Sequence, residues 1–139
     1  RPPLLGPARL RAALHMHSRW SDGRATIAEM AAAARARGHA YIAITDHSAY
    51  LGVTGGVDAA RLREQAAEVA ALNAAFERDG DPFRVLHGVE VDITHDGALA
   101  LPDEALAQLD LVIASLHVGL RQPREQVTAR LLRAINNPH

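Results

Sequence analysis

The clearest structural signal in the chain lies at residues 41–47, which read Tyr-Ile-Ala-Ile-Thr-Asp-His. The first five of these residues are apolar or β-branched, and they predict a short buried strand. Asp46 and His47 follow directly, at the carboxyl end of that strand. A histidine in this position is a candidate metal ligand, and a neighbouring carboxylate could orient it. The alternative is a turn or helix cap formed by Asp46, with His47 incidental.

A helix is predicted on each side of this strand. Upstream, Thr26 and Glu29 have the spacing of a capping box, and Gly38 is a suitable residue to end the helix that they begin. This helix should bury Ile27, Met30 and Ala34. Downstream, Asp58 caps a longer helix with an apolar face. That face consists of Leu62, Ala66, Val69, Leu72 and Phe76.

The same alternation of strand and helix extends over the rest of the chain. Further strands are predicted at residues 13–17, 84–93 and 111–115, with a short helix at 102–109. A last helix begins near Pro123 and should bury one apolar face. Its members are Val127, Leu131 and Ile135. This β-α-β-α-β-α-β-α pattern is typical of a parallel α/β sheet, open or closed into a barrel. Because the pattern stops after a helix, we expect it to be part of a larger barrel-like unit.

Composition limits what the chain can do. Its 139 residues suit one domain, and 48% of them are apolar, which is enough for a core. A net charge of −1 and an aromatic content of 4% argue against autonomous binding of duplex or single-stranded nucleic acid. Cysteine is absent, so any metal must be held by His, Asp or Glu. No membrane span or signal sequence is visible; residues 1–8 suggest a proline-rich linker, and we expect a cytoplasmic protein.

Candidate ligands converge at the carboxyl ends of the predicted strands, where sites form in parallel α/β folds. His15 and His17 share a strand face, Glu90 interrupts an apolar strand, and His117 follows the last strand. Apart from Glu90, each has an ordinary alternative: a half-exposed histidine pair, a loop histidine or, for Asp22, a simple turn. It is improbable that four strand ends would all carry such groups by chance, so the pattern predicts a metal centre. Other acidic or imidazole side chains receive no role: Asp92, expected to be a solvated strand end, and His39, His87, His95 and His139.

These segments resemble the motifs of the PHP (polymerase and histidinol phosphatase) domain family. Four stretches match its motifs in order, at residues 14–23, 43–48, 88–93 and 114–117. Two more are similar to the branch found at the C-terminus of bacterial family X DNA polymerases, at residues 55–58 and 130–139. The resemblance covers roughly residues 9–139, which would be a PHP domain incomplete at its C-terminus.

The resemblance implies a fold and a set of ligands. The fold would be the N-terminal part of a distorted (β/α)7 barrel of the TIM type. Up to three divalent ions would be expected, from among Mn²⁺, Zn²⁺ and Fe. His15 and His17 would hold the first ion with Glu90, which would bridge to a second ion bound by His117. Two further side chains, Asp22 and His47, would hold the third.

The resemblance also implies an activity. This would be phosphodiester hydrolysis at DNA 3′ ends, as a 3′→5′ exonuclease or in end processing during repair. An upstream polymerase domain is expected, and other domains would hold most of the DNA. Besides Glu90, Asp46 would support the ligands. The branch often has a phosphate-contacting lysine where this chain has Ala49 and Tyr50; Arg121 is a candidate replacement for it, and the alternative is an ordinary exposed surface arginine. The alternatives are a small-molecule phosphatase, similar to a histidinol-phosphate phosphatase, and a non-catalytic scaffold.

Overall fold

The computed structural model describes residue 6 and residues 9–139. The predicted linker at residues 1–8 therefore lies outside the described residues, apart from Gly6. Four strands alternate with four helices, and a short 3₁₀ turn at Ala49–Leu51 follows the second strand. The strands are β1 (Ala12–Ala13), β2 (Tyr41–Ile44), β3 (Arg84–Asp92) and β4 (Leu111–Ser115). The helices are α1 (Ile27–Ala36), α2 (Ala59–Arg78), α3 (Asp103–Leu106) and α4 (Arg124–Ile135).

The four strands form one parallel sheet in the order β1-β2-β3-β4. Each neighbour in space is also the next strand in sequence, with one helix in every crossover, as in a (β/α) barrel. The sheet curls into a half-barrel, which confirms the predicted α/β class and the partial TIM-like architecture. β3 is long because its first half pairs with β2 and its second half with β4. This register brings the carboxyl ends of the strands to one rim.

The first strand is shorter than the predicted strand over residues 13–17. Regular pairing with β2 ends at Ala13, opposite Ile42. The chain nevertheless stays beside β2, because the Thr45 amide donates to the Met16 carbonyl at 2.8 Å. The Met16 amide in turn donates to Thr45 Oγ1 at 3.1 Å. The segment that contains the first two histidines is therefore anchored to the end of β2 although it is not a regular strand.

The predicted ends of α1 are confirmed. Thr26 Oγ1 accepts from the Glu29 amide, and the Glu29 carboxylate accepts from the Thr26 amide, which is the reciprocal capping box. At the other end, Gly38 has a φ of +79°. Its amide and that of His39 bond back to the last turn as in a Schellman motif. Of the residues expected to be buried, Ile27 and Ala34 are buried and Met30 is only half-buried.

Helix α2 begins as predicted, with the Asp58 carboxylate accepting from the amides of Ala60 and Arg61. Its inner face includes Leu62, Val69 and Phe76, but also the fully buried polar side chain of Gln65. The helix α3 is shorter than the predicted span of 102–109.

The prediction for the inner face of α4 is wrong. Leu131 and Ile135 are 38% and 74% exposed, whereas Arg130 and Ala134 are buried. Arg130 turns inward because the carbonyl groups that follow β3 and β4 accept its hydrogen bonds. Leu131 and Ile135 instead line an open groove beside β4.

None of the helices in the described part of the chain is both long and apolar enough to span a membrane.

Candidate metal centre

Six predicted ligands come together at the carboxyl rim of the sheet. They arrive from four strand ends and one turn, and their nitrogen and oxygen atoms form three overlapping groups in which all atoms lie within 4.8 Å of one another. The groups are His15, His17 and Glu90; His17, Asp22 and His47; and His47, Glu90 and His117. The register explains this convergence, because His47, three residues past the end of β2, forms an isolated parallel bridge with Glu90 of β3.

Glu90 lies at the centre of the cluster and is only 5% exposed. Its Oε2 atom lies 3.2 Å from His15 Nε2, 3.1 Å from His17 Nε2 and 3.1 Å from His47 Nδ1. Its Oε1 atom lies 3.4 Å from His117 Nε2. Buried carboxylates are rare unless they are paired or bind a metal. One carboxylate thus faces four imidazoles with its two oxygens, three through Oε2 and one through Oε1.

The ionised form of Glu90 is favoured by its surroundings. Burial alone would raise the pKa of this carboxyl group. Hydrogen bonds from Ser115 and His15 and the charges of His47 and His15 outweigh burial, so the pKa lies below its ordinary value. Ser115 Oγ donates to Oε1 at 2.7 Å and so holds the carboxylate in place. Glu90 is therefore negatively charged and oriented at neutral pH.

Two imidazole nitrogens in the cluster lack hydrogen-bond partners. Within the described part of the chain, His17 Nε2 and His47 Nδ1 are buried and make no hydrogen bond, although both lie near Glu90. Buried polar atoms are nearly always satisfied. A cation between these nitrogens and the Glu90 carboxylate would satisfy both. The residues present therefore fit a divalent metal with imidazole and carboxylate ligands.

Two histidines have their tautomer set by a carboxylate. His17 Nδ1 lies 3.1 Å from Asp22 Oδ1, and His117 Nδ1 lies 2.9 Å from Asp92 Oδ1. A carboxylate accepts but does not donate, so each Nδ1 donates to its carboxylate, and in the neutral ring Nε2 is the nitrogen with the lone pair. In both cases Nε2 is the atom that faces Glu90. Metal-ligating histidines are commonly oriented in this way.

The expectation that Asp92 would be a solvated strand end is wrong. Asp92 is 1% exposed, and besides His117 its carboxylate binds Ser48 Oγ at 2.7 Å. Asp92 follows Glu90 by two residues on β3, so both side chains point to the same face. The two-residue spacing in the sequence was enough to predict that Asp92 lies beside Glu90. Its partners are distant in sequence, and only the folded chain shows that it orients His117.

Asp46 supports the turn that contains Asp22. The buried Asp46 carboxylate accepts from the amide and hydroxyl of Ser18, from Ser21 Oγ and from Gln65 Nε2, at 2.6–2.7 Å. This network closes the turn at residues 18–22 over the end of β2. Asp22 is half exposed at its tip, with Oδ2 3.8 Å from His47 Nε2. Burial opposes ionisation of Asp22, but the hydrogen bond from His17 and the nearby imidazoles keep its pKa below the ordinary value.

Arg121 does not join the cluster. It is exposed in the turn between β4 and α4, and it makes no hydrogen bond or ion pair with residues 9–139. The remaining histidines, His39, His87, His95 and His139, belong to none of the three groups in this part of the chain. His87 is buried, with Nε2 3.0 Å from Gln65 Oε1.

Comparison with known proteins places these residues in a family. The chain matches the PHP domain over residues 13–137. It is 52% identical over 126 residues to the DNA polymerase/3′-5′ exonuclease PolX of Bacillus subtilis (strain 168), covering 91% of this chain and 21% of that protein. It is 44% identical over 59 residues to a probable phosphatase of Caldanaerobacter subterraneus subsp. tengcongensis, covering 40% of this chain and 23% of that protein. The chain thus spans about a fifth of the length of these relatives. With this match over most of its length, the chain belongs to the PHP domain family.

Proposed function

We propose that this chain is part of a metal-dependent phosphodiesterase that hydrolyses DNA from its 3′ end. The observation that supports it most is the arrangement around Glu90. One buried, ionised carboxylate faces four imidazoles, and two nitrogens near it have no hydrogen-bond partner. The relative with 52% identity over 91% of this chain is a 3′-5′ exonuclease by name, and this favours DNA as the substrate.

The ligands divide among up to three ions. His15 and His17 Nε2 would hold one with Glu90 Oε2, and His117 Nε2 would hold a second with Glu90 Oε1. Asp22 and His47 would hold the third. His47 faces Asp22 with Nε2 and Glu90 with Nδ1. Because a neutral imidazole has one lone pair, His47 serves only one of its two groups at a time. A donor set of imidazoles and carboxylates suits Mn²⁺, Zn²⁺ or Fe²⁺.

When bound, such ions lower the pKa of water toward neutrality and neutralise the charge of phosphoryl oxygens. The protein holds their ligands. Asp22 and Asp92 set the tautomers of His17 and His117, and Ser115 orients Glu90. The reaction requires no side-chain nucleophile. We place Arg121, exposed on the turn after β4, as a candidate contact for a substrate phosphate.

The upstream polymerase domain and the DNA contacts also belong to the proposal. A chain with a net charge of −1 has little attraction of its own for a polyanion. Other parts of a longer protein would hold most of the DNA and present its 3′ end to the rim of the half-barrel.

A chimaera tests the proposal. The 126 residues of this chain that match the Bacillus subtilis PolX would replace their counterpart in that protein. We expect Mn²⁺-dependent release of nucleotides from a 3′-labelled oligonucleotide, and its loss in a Glu90→Gln chimaera. Glu104→Gln, at an exposed position, is the matched control. Polymerase activity reports on folding of the rest of the chimaera, and Mn²⁺ binding reports on folding of the exchanged segment.

The outcomes distinguish the alternatives. A chimaera that polymerises and binds Mn²⁺ in the exchanged segment but has no nuclease activity contradicts the proposal. A small-molecule phosphatase would be favoured if this chain hydrolyses a small phosphomonoester while the chimaera does not cleave the oligonucleotide. The relatives that match over only 58–59 residues are probable phosphatases by name. Absence of bound metal from the chain after reloading would favour a scaffold.

A further inference from the structure

Arg130 is a buried charge without a counter-ion. Its side chain lies on α4 and is only 3% exposed. Within residues 9–139 it makes no ion pair with a carboxylate, and its partners are all carbonyl-type oxygens. A buried cation is costly unless its hydrogen bonds are satisfied. A buried arginine on a helix is unusual, and its hydrogen-bond partners show how the fold accommodates the charge.

Every N–H of this guanidinium has an acceptor. Nε donates to the Thr94 carbonyl at 2.9 Å, and Nη2 donates to the carbonyls of Ile93 at 2.8 Å and Val118 at 3.0 Å. Nη1 donates to Gln122 Oε1 at 2.7 Å and, more weakly, to the Gly119 carbonyl at 3.4 Å. The rigid fork of arginine provides five donors, so no donor remains unpaired.

Two glycines allow this close approach. A Cβ atom on Gly119 would lie 2.7 Å from Arg130 Nη1, and a Cβ atom on Gly97 would lie 2.9 Å from Arg130 Cα. Both glycines also have positive φ angles, +65° and +88°. Two separate loops therefore lack side chains where Arg130 enters between them.

The carbonyl partners flank the pair of residues that orients one metal ligand. Ile93 and Thr94 directly follow Asp92, and Val118 and Gly119 directly follow His117. The hydrogen bond between Asp92 Oδ1 and His117 Nδ1 spans the same two segments at 2.9 Å. Arg130 thus joins the backbone after β3 to the backbone after β4, next to this hydrogen bond.

We infer that Arg130 is a positioning residue for His117. By fixing both segments, it keeps Asp92 within hydrogen-bond distance of His117 Nδ1, and this directs Nε2 at Glu90. The inference rests on the proposed metal site, but its structural part, the orientation of His117, exists in the metal-free protein. The two can therefore be tested separately.

The first test uses the metal-free 139-residue chain and no activity assay. Arg130→Lys keeps the charge but replaces a five-donor fork by a point charge with three donors. Arg133→Lys, on the exposed side of the same helix, is the matched control. Long-range ¹H–¹⁵N NMR near pH 8, where an ordinary imidazole is neutral, reports which nitrogen of His117 is protonated. We expect Nδ1–H in the wild type and the control, and a mixture of tautomers in Arg130→Lys.

The second test measures binding of Mn²⁺ by calorimetry. Loss of an orienting partner typically weakens metal affinity by about 10–100-fold, and we expect a loss of that size in Arg130→Lys and none in Arg133→Lys. In a His117→Ala background the substitution Arg130→Lys should have no further effect. If Arg130→Lys does not fold, Gln122→Ala, which removes the shortest acceptor, takes its place with the same readouts.

The outcomes are distinct. An unchanged His117 tautomer in the variant overturns the inference, whatever the metal does. Equal weakening of Mn²⁺ binding in the presence and absence of His117 also overturns it, because Arg130 would then act on the fold in general. A wild-type chain that binds no Mn²⁺ contradicts the proposed function, while the tautomer measurement still decides the role of Arg130.

Discussion

Glu90 and Asp92 are neighbours on one face of β3 with different tasks. Glu90 belongs to two of the three candidate ligand groups, whereas Asp92 accepts a hydrogen bond from Nδ1 of a candidate ligand, His117. A side chain that binds the ion directly and one that orients a ligand should differ in how much metal affinity they control. Substitutions of Glu90 and Asp92 can therefore be compared for their effect on metal affinity.

We expect Glu90→Gln to weaken Mn²⁺ binding more than Asp92→Asn. The second change should cost about 10–100-fold in affinity, the usual loss for an orienting carboxylate, and the first should cost more, because it removes charge from a shared ligand. Asp96→Asn, at an exposed position after β3, is the control. Calorimetric titration of each chain measures the order, and an equal or reversed effect of Asp92→Asn and Glu90→Gln contradicts these assignments.

His87 links stability to pH. Burial lowers its pKa below the ordinary value, although the charges of Asp110 and Asp46 act in the opposite direction. The unfolded chain then binds a proton more readily than the folded one, so stability rises with pH through this window. The contribution of neutral His87 is complete above the ordinary histidine pKa of about 6.5, and it is lost as the pH falls from there toward the folded pKa.

We therefore expect His87→Gln to reduce the acid sensitivity of folding. Urea unfolding with a chelator present, at pH values above and below about 6.5, should show a smaller fall in the free energy of unfolding than in the wild type. His139→Gln, at the exposed end of the chain, controls for removal of an imidazole. The same reduction in both variants, or none in His87→Gln, would show that another group is responsible.

At the scale of elements, the two longer crossover helices, α1 and α2, each begin at a side-chain cap and bury one face. α1 is the clearest case, because Thr26 and Glu29 satisfy each other's backbone amides at its start. The helix packs Ile27 and Ala31 against β2 and β3, and its start follows the turn that contains Asp22. The contribution of the α1 N-cap to the free energy of unfolding can therefore be measured with a single substitution.

We expect Thr26→Ala to lower the free energy of unfolding by about 1 kcal/mol, within the range of roughly 0.5–2 kcal/mol found for lost N-caps. Thr128→Ala, on the exposed surface of α4, serves for comparison and should have almost no effect. Urea denaturation followed by circular dichroism measures both. Equal losses in the two variants would mean that the capping box contributes little.

At the scale of the whole molecule, the half-barrel has an apolar outer surface on one side. The exposed apolar residues Leu131 and Ile135 of α4, which are 38% and 74% exposed, line the groove beside β4. Strands at the edge of a sheet and contiguous apolar surface both favour association with other chains. The isolated chain should therefore self-associate through this side.

We expect Ile135→Glu to shift the chain toward the monomer. Size-exclusion chromatography with light scattering over a range of concentrations measures the mass. Val53→Glu is the matched control, because Val53 is 90% exposed but lies on the loop after β2. A wild-type chain that is monomeric at every concentration, or an equal shift with Val53→Glu, contradicts this role for α4.

Sequence was a reliable guide wherever the determining contacts are local. The capping box of α1, the Asp58 cap of α2 and the bounds of β4 involve residues a few positions apart, and all three predictions are confirmed. The convergence of polar groups at strand ends also followed from the sequence, because parallel strands bring their carboxyl ends to one edge. Hydrophobic spacing failed for α4, where an arginine with enough acceptors replaced the apolar face.

The amino-acid sequence alone was sufficient to establish the α/β class, the order of the elements and a cluster of histidines and carboxylates at one rim. Folding was needed to show which groups orient them. Ser48 and Asp92 are 44 residues apart, Asp92 and His117 are 25 apart, and Arg130 meets Ile93 across 37 residues. No local pattern reports such pairs, because their free energy depends on burial and on hydrogen-bond geometry that exist only after the strands have packed. Asp92, a polar residue next to a candidate ligand, would look the same in the sequence whether it was solvated or buried. Tertiary packing decides which of the two it is.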